Sequence, residues 1–383
     1  MNFKKQLLQL QNQGAYRSLK ILPQGTFNFC SNDYLALSHH SKVIEGALQA
    51  TKKYGAGSGA ARLISGNNDL MERLEYEVSQ WKQVESSLLF NSGYHANIGV
   101  IPALADENTI IFSDEFNHAS IIDGCRLSKA KTVIYRHNDM GHLEELLKNP
   151  PHPPFVKGGD SHFVPPLKKG VRGILIITES VFSMEGDLAP LEDLKELAEK
   201  YDALLYVDEA HAVGMFGENG VGRLGKNPSE NILTMGTFGK AFGSYGAFVC
   251  GSDVLKKYLI NKARSFIFST SLPPSAMGAS RAALKIIQGR EGENLREELW
   301  SNVSVVNKEL GLDQGESPIF SIKIGDAKKT MALSERLLKD KIYIQGIRPP
   351  TVPEGSSRLR LTVSARHTVK ELFCLIKNLE KIL

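Results

Sequence analysis

Through the middle of the chain, short apolar runs rich in β-branched residues alternate with longer stretches of helical period. Residues 87–90, 109–113, 131–135, 173–178, 203–207, 231–235 and 245–250 read as strands, with helices over 70–81, 95–104 and 191–200. Such alternation implies right-handed βαβ units and an α/β fold with a mostly parallel central sheet flanked by helices. Polar residues just past the carboxyl ends of its strands are where a site is expected. After Leu272-Pro273-Pro274 a helical stretch over 275–310 leads to short strands near 319–324, 342–344 and 358–362 and a last helix. The expected division is an N-terminal segment 1–40, a large domain 41–272 and a smaller α+β domain 273–383.

One segment, 149–171, breaks the pattern. It is rich in Pro, Gly, Lys and His, has no hydrophobic period, and carries three Pro pairs that argue against regular structure. It reads as a surface insertion, because lengthening a surface loop adds little closure entropy; a lid or docking loop is the alternative.

Length and composition narrow the function classes. A chain of 383 residues exceeds one ordinary core, and 42% hydrophobic with 23% charged residues is a globular balance. The net charge of +4 is spread without a long basic run, so nucleic acid is not expected as a partner. No apolar stretch nears the ~20 residues that span a bilayer, and the amphipathic first 13 residues lack the apolar core of a signal peptide. Cys30, Cys125, Cys250 and Cys374 stand far apart, with no CxxC and no histidine at metal spacing. They read as reduced, mostly buried thiols of a cytoplasmic protein without a metal site.

Gly55-Ala56-Gly57-Ser58-Gly59-Ala60 matches the loose dinucleotide fingerprint, which needs a strand before it and a helix after it. Here a helical pattern over 43–54 precedes it and a loop-like stretch, 61–67, follows. Glycines that let the backbone pass close to a substrate or subunit contact are the better reading.

Chemistry gathers further on. The apolar run Leu204-Leu205-Tyr206-Val207 ends in Asp208, and His211 follows three residues later. The next strand-like run ends in Gly236-Thr237-Phe238-Gly239-Lys240-Ala241-Phe242-Gly243. Alone, such an acid is often a cap and such a lysine a surface turn. Together they place a carboxylate and an amine at the ends of two successive strands of one sheet. Pyridoxal 5′-phosphate chemistry needs that pair: an amine to form a Schiff base and a carboxylate to keep the pyridine nitrogen protonated. Gly239 and Gly243 allow close backbone approach, and Thr237 offers a hydroxyl to the phosphate.

With these residues the chain resembles the α-oxoamine synthases, fold-type I pyridoxal phosphate transferases that condense an amino acid with an acyl thioester and lose carbon dioxide. The likeness runs from about Arg17 to the C-terminus, outside the Pro-rich insertion. Its markers include Ser31-Asn32-Asp33-Tyr34-Leu35, Asn91-Ser92-Gly93-Tyr94, residues 114–120 and 179–187, and Ile347-Arg348-Pro349-Pro350-Thr351-Val352-Pro353. The last stretch resembles the members that join L-alanine to a pimeloyl thioester, whereas glycine-using relatives tend to carry a Tyr-Pro pair there. One departure is Met71, where many members have a histidine; the position reads as helical and concerned with packing.

The resemblance implies roles residue by residue. Lys240 corresponds to the Schiff-base lysine that also shuttles the Cα proton, Asp208 to the pyridinium partner and His211 to the contact on the ring oxygen. His118 corresponds to the histidine stacked on the cofactor ring. Gly93 and Tyr94 lie where backbone amides at a helix start receive the phosphate, and Ser183 and Thr237 are further cofactor contacts. Thr270 corresponds to a phosphate ligand reaching across from a second subunit, which implies a homodimer. Arg360 corresponds to the arginine that grips the amino-acid carboxylate, and Arg17, Asn32 and Thr351 to other substrate contacts. Open at this stage are a coenzyme A or acyl carrier protein donor, a glycine- or serine-using reaction such as 2-amino-3-ketobutyrate formation, and a non-catalytic cofactor-binding protein on the same fold.

Overall fold

The computed structural model describes residues 1–149, 173–311 and 316–382; apart from Asn149, the Pro-rich segment 149–171 lies outside the described residues. In chain order the helices are α1 (Phe3–Asn12), α2 (Ser41–Tyr54), α3 (Asp69–Lys82), α4 (Gly93–Leu104), α5 (Ala119–Leu127), α6 (Met140–Lys148), α7 (Leu191–Lys200), α8 (Asp253–Lys262), α9 (Arg264–Ile267), α10 (Pro274–Gln288), α11 (Arg290–Leu310), α12 (Ala327–Lys339) and α13 (Val369–Leu379). The strands are β1 (Phe27–Asn28), β2 (Ser86–Phe90), β3 (Ile110–Asp114), β4 (Lys131–Tyr135), β5 (Ile174–Glu179), β6 (Leu204–Asp208), β7 (Ile232–Thr237), β8 (Ala247–Gly251), β9 (Ile319–Gly325), β10 (Ile342–Tyr343), β11 (Gln345–Ile347) and β12 (Ser357–Thr362).

Packing divides the chain into a larger unit, Leu35–Phe182 with Leu188–Asn294, and a smaller one, Met1–Tyr34, Ser183–Asp187 and Leu295–Leu383. The larger unit holds a seven-stranded sheet of order β2-β8-β7-β6-β5-β3-β4. Strands β4, β3, β5, β6 and β7 run parallel, while β8 is antiparallel to both β7 and β2. The expected mostly parallel sheet is therefore present, with β8 as its one antiparallel strand, next to the edge. Side chains alternate across it. Leu205 and Val207 of β6 enter one core layer with Phe112 and Leu194, and Tyr206 enters the other with Val100, Ile101 and Ile121. Asp208, two residues after Tyr206, shares its face, and that parity directs the carboxylate toward the α4 and α5 side.

The helical stretch expected over 275–310 is two helices, parted at Gly289. A Cβ at Gly292 would lie 2.4 Å from the Ile286 carbonyl oxygen, so the break rests on glycine. The boundary expected at 272 also differs from the packing. Helix α10 belongs to the larger unit because it lies against α2, where a Cβ on Gly46 would stand 2.6 Å from the Gly278 carbonyl oxygen. Burial of Met71 to 1% exposure within α3 agrees with a packing role. The glycines at 55–59 follow α2 directly and precede a single π-turn, Arg62–Gly66, so the strand–turn–helix context of a dinucleotide site is not there.

In the smaller unit, β12 lies between β11 and β9 in an antiparallel sheet, and β1 pairs in parallel with β10. Helix α12 covers that sheet, and α13 opens with a capping box in which Thr368 and Glu371 satisfy each other's backbone N–H. The four cysteines are free thiols, and burial pushes Cys30 and Cys250 up to about 12 and Cys125 to about 11, poor values for a nucleophile. Among the described residues no helix is long and apolar enough to cross a membrane, and no cluster of His, Cys, Asp and Glu could hold a metal ion.

Candidate active site

The carboxyl ends of β3, β5, β6 and β7 carry the polar residues of the larger unit. Asp208 closes β6 and is 5% exposed. Its Oδ1 accepts the Ala210 N–H at 2.9 Å, and its Oδ2 accepts the Asn97 Nδ2–H at 2.9 Å. Asn97 is fully buried on α4, gives a second N–H to Ser120 Oγ at 2.8 Å, and accepts the Tyr206 hydroxyl at 2.7 Å. Both oxygens of Asp208 are thus held by N–H donors, which fixes the carboxylate without neutralising it.

His118 is the N-cap of α5. Its Nδ1 accepts the Ser120 amide at 3.2 Å and lies 2.7 Å from Ser120 Oγ. That arrangement assigns the proton of the neutral ring to Nε2. Protein packed around the ring lowers its pKa, Asp208 opposes the shift, and Lys240 adds to it, although the residue keeps an accessible face. One Asn97–Ser120 link therefore ties His118 to Asp208.

Lys240 follows β7 in a tight turn and is half-buried. Thr237 secures the start of the turn: its hydroxyl donates to the Gly246 carbonyl at 2.9 Å and accepts the Gly239 N–H at 3.1 Å. Gly243 closes it at φ +60, where a Cβ would come 2.1 Å from the Ser38 nitrogen, so no larger residue fits. His211 is buried in the turn after β6. Beneath that turn the Glu209 carboxylate pairs with Lys82 at 2.6 Å, both side chains fully buried, and Lys82 also donates to the Val221 carbonyl at 2.6 Å.

Glu179 ends β5 in parallel register with Asp208, so two carboxyl groups project from neighbouring strand ends on the same face. It is 3% exposed, and its Oε1 has no hydrogen-bond partner among the described residues. Burial first, and the Asp208 charge second, hold this carboxyl well above the usual range, while Lys240 and the His118 N–H pull the other way.

Gly93 and Tyr94 are the first residues of α4, where the Ser92 side chain caps the His95 N–H. Amides at such a helix start lack intrahelical acceptors and suit an anion. Thr270 is exposed, bridges to Ala61 and accepts an Asn91 N–H at its carbonyl at 2.8 Å.

The other expected residues lie in the smaller unit. Arg360 on β12 is 8% exposed, and its Nε donates to the Ser183 carbonyl at 2.5 Å and its Nη2 to Asn32 Oδ1 at 3.3 Å. Tyr34 donates to the same Asn32 oxygen at 3.2 Å. All of these acceptors are neutral, and among the described residues no carboxylate pairs with Arg360. A buried guanidinium so placed suits an anionic ligand. Arg17 and Thr351 are both exposed, and Arg17 Nη2 donates to Thr351 Oγ1 at 2.8 Å.

Of the expected residues, Asp208, His118, His211, Lys240, Thr237, Thr270, Gly93 and Tyr94 fall in the larger unit, and Arg360, Asn32, Ser183, Arg17 and Thr351 in the smaller, Ser183 having been expected in the large domain. Asn97, Ser120, Tyr206 and Glu179 were missed. For two of them a signal was present: Asn97 stands in an otherwise apolar part of its helix, and Tyr206 has the strand parity of Asp208.

The model for aminotransferase class I and II matches residues 24–379, and the chain belongs to that family. It is 43% identical to an 8-amino-7-oxononanoate synthase of Trichlorobacter lovleyi, over 96% of this chain and 94% of that protein. Among solved structures, a serine palmitoyltransferase from S. paucimobilis bound to a pyridoxal phosphate adduct aligns with a TM-score of 0.87 at 26% identity, covering 99% of this chain and 96% of that one. An 8-amino-7-oxononanoate synthase from Francisella tularensis aligns with a TM-score of 0.75 at 29% identity, over 94% and 97%. The fold is that of the fold-type I pyridoxal phosphate transferases.

Proposed function

We propose that the chain is a pyridoxal 5′-phosphate-dependent acyltransferase that joins L-alanine to a pimeloyl thioester, with loss of carbon dioxide, to give 8-amino-7-oxononanoate for biotin synthesis. The observation that carries this reading is Asp208: a buried carboxylate at the end of β6, held by two N–H donors, one strand from the turn that bears Lys240. Those residues fit the cofactor. The Asp208 carboxylate suits a protonated pyridine nitrogen, the Lys240 amine a Schiff base, and the first amides of α4, with Thr237, a phosphate. Ser183, His211 and Thr270 complete the contacts, with Thr270 serving the other subunit of a cytoplasmic homodimer.

Pyridoxal phosphate, when bound, supplies an electron sink for the pair left at the substrate Cα. The chain does the rest. Arg360, with Asn32, grips and orients the amino-acid carboxylate. Lys240 takes the Cα proton and returns it after the acyl group is joined and carbon dioxide has left. Asn97 keeps Asp208 oriented, and His118 offers a flat neutral face to the ring. Arg17 and Thr351 are left for the acyl donor, whose thiol is coenzyme A or an acyl carrier protein.

Thiol release with L-alanine and pimeloyl-CoA, run beside acetyl- and succinyl-CoA and beside glycine and serine, tests the assignment. The expected result is fastest release with L-alanine and the pimeloyl donor. Faster release with glycine and a shorter acyl group would move the chain to another member of the group.

A further inference from the structure

The stretch from Ile347 to Pro353 is one of the markers of the resemblance, yet the sequence offers no physical reason for its arginine. Its surroundings in the smaller unit do. Helix α1 is ten residues long and has no buried residue, so its own packing holds it weakly. It ends in a Schellman motif: Gly14, at φ +66, donates to Gln11, and Ala15 donates to Leu10 at 2.8 Å. The last turn of α1 has no basic residue to meet the negative end of the helix. Arg348 meets it from 334 positions away along the chain, its Nε donating to the Gly14 carbonyl at 2.6 Å and its Nη2 to the Tyr16 carbonyl. Its Nη1 rests on the Met331 sulfur at 2.8 Å. The next residue after Tyr16 is Arg17, which reaches Thr351, three positions beyond Arg348.

We propose that Arg348 is a positioning residue for the acyl donor: it fastens the end of α1 so that Arg17 is held against Thr351. The inference rests on the proposed function for the identity of that substrate. Arg348 touches neither reacting atom nor cofactor, and acts by ordering Arg17. Its fork of donors spans the carbonyls of Gly14 and Tyr16 together, which a lysine ammonium can meet one at a time.

Two readouts on the full-length, cofactor-loaded protein test it. In Arg348→Gln, limited trypsin digestion should cut after Arg17 and Lys20 about tenfold faster, the size expected for losing charge-assisted hydrogen bonds at a half-exposed site. Because Arg348 precedes a proline, the substitution does not remove a readily cleaved site. The KM for the pimeloyl thioester should rise by about the same factor, with kcat and the L-alanine dissociation constant unchanged. Arg348→Lys should fall between the two. Cleavage at the parent rate would overturn the clamp, and faster cleavage with an unchanged acyl-donor KM would overturn its part in recognition. A parent enzyme that released no thiol would sink the proposed function and the acyl half together, while the cleavage rates would still decide whether Arg348 holds the segment.

Discussion

Asn97 donates to the Asp208 carboxylate at 2.9 Å from a helix whose other buried residues are apolar or glycine. The same amide serves Ser120, and its oxygen takes the Tyr206 hydroxyl. Asn97→Ala would free the carboxylate on one side and leave a buried hydroxyl without its acceptor. The expected cost is about 2–4 kcal/mol in urea unfolding with an unchanged slope, since hydrogen bonds to charged groups contribute about 1.5–3 kcal/mol and an orphaned buried group adds to the loss. Asn97→Asp should cost more, because it sets a second carboxylate against Asp208. If Asn97→Ala matched the parent in stability, the link would be incidental.

Glu179 makes a prediction with a definite sign. Burial and Asp208 keep its proton in the folded chain well above the usual range, whereas an unfolded chain loses it near the ordinary value of about 4.3. Above that pH the unfolded chain binds fewer protons at this site than the folded one, so the site's contribution to stability falls as pH rises toward the folded pKa. Gln cannot ionise. In the cofactor-free protein, Glu179→Gln should therefore gain stability over the parent as pH goes from 5 to 8, by up to about 1.4 kcal/mol per pH unit. A gap that stays flat or narrows with pH would mean that Glu179 is ionised in the fold.

How far the sequence reached depended on whether the cause was local. The seven strands of the larger unit were legible as short, mostly apolar runs, several of them set between helical patterns, and the helix before Gly55 exposed the dinucleotide motif as a false match. Lys240 and Asp208 were legible because strand ends announce themselves. Gly289 and the α2–α10 contact at Gly46 and Gly278 were not, since a helix break and a close approach depend on what lies opposite. Asn97, Glu179 and Arg348 were obscured for the same reason. Each has its partner on another element, and Arg348 meets Gly14 across nearly the whole chain. The roles carried over for Arg17 and Thr351 gain a physical link in their mutual hydrogen bond, which no spacing could have indicated.

Lys240 is proposed to carry the cofactor. Borohydride reduction of the protein loaded with pyridoxal phosphate, followed by peptide mass mapping, tests it directly. A pyridoxyl phosphate adduct is expected on the peptide containing Lys240, and its absence from Lys240→Ala together with loss of the visible absorbance. An adduct on a different lysine, or the same absorbance and turnover in Lys240→Ala, would contradict it.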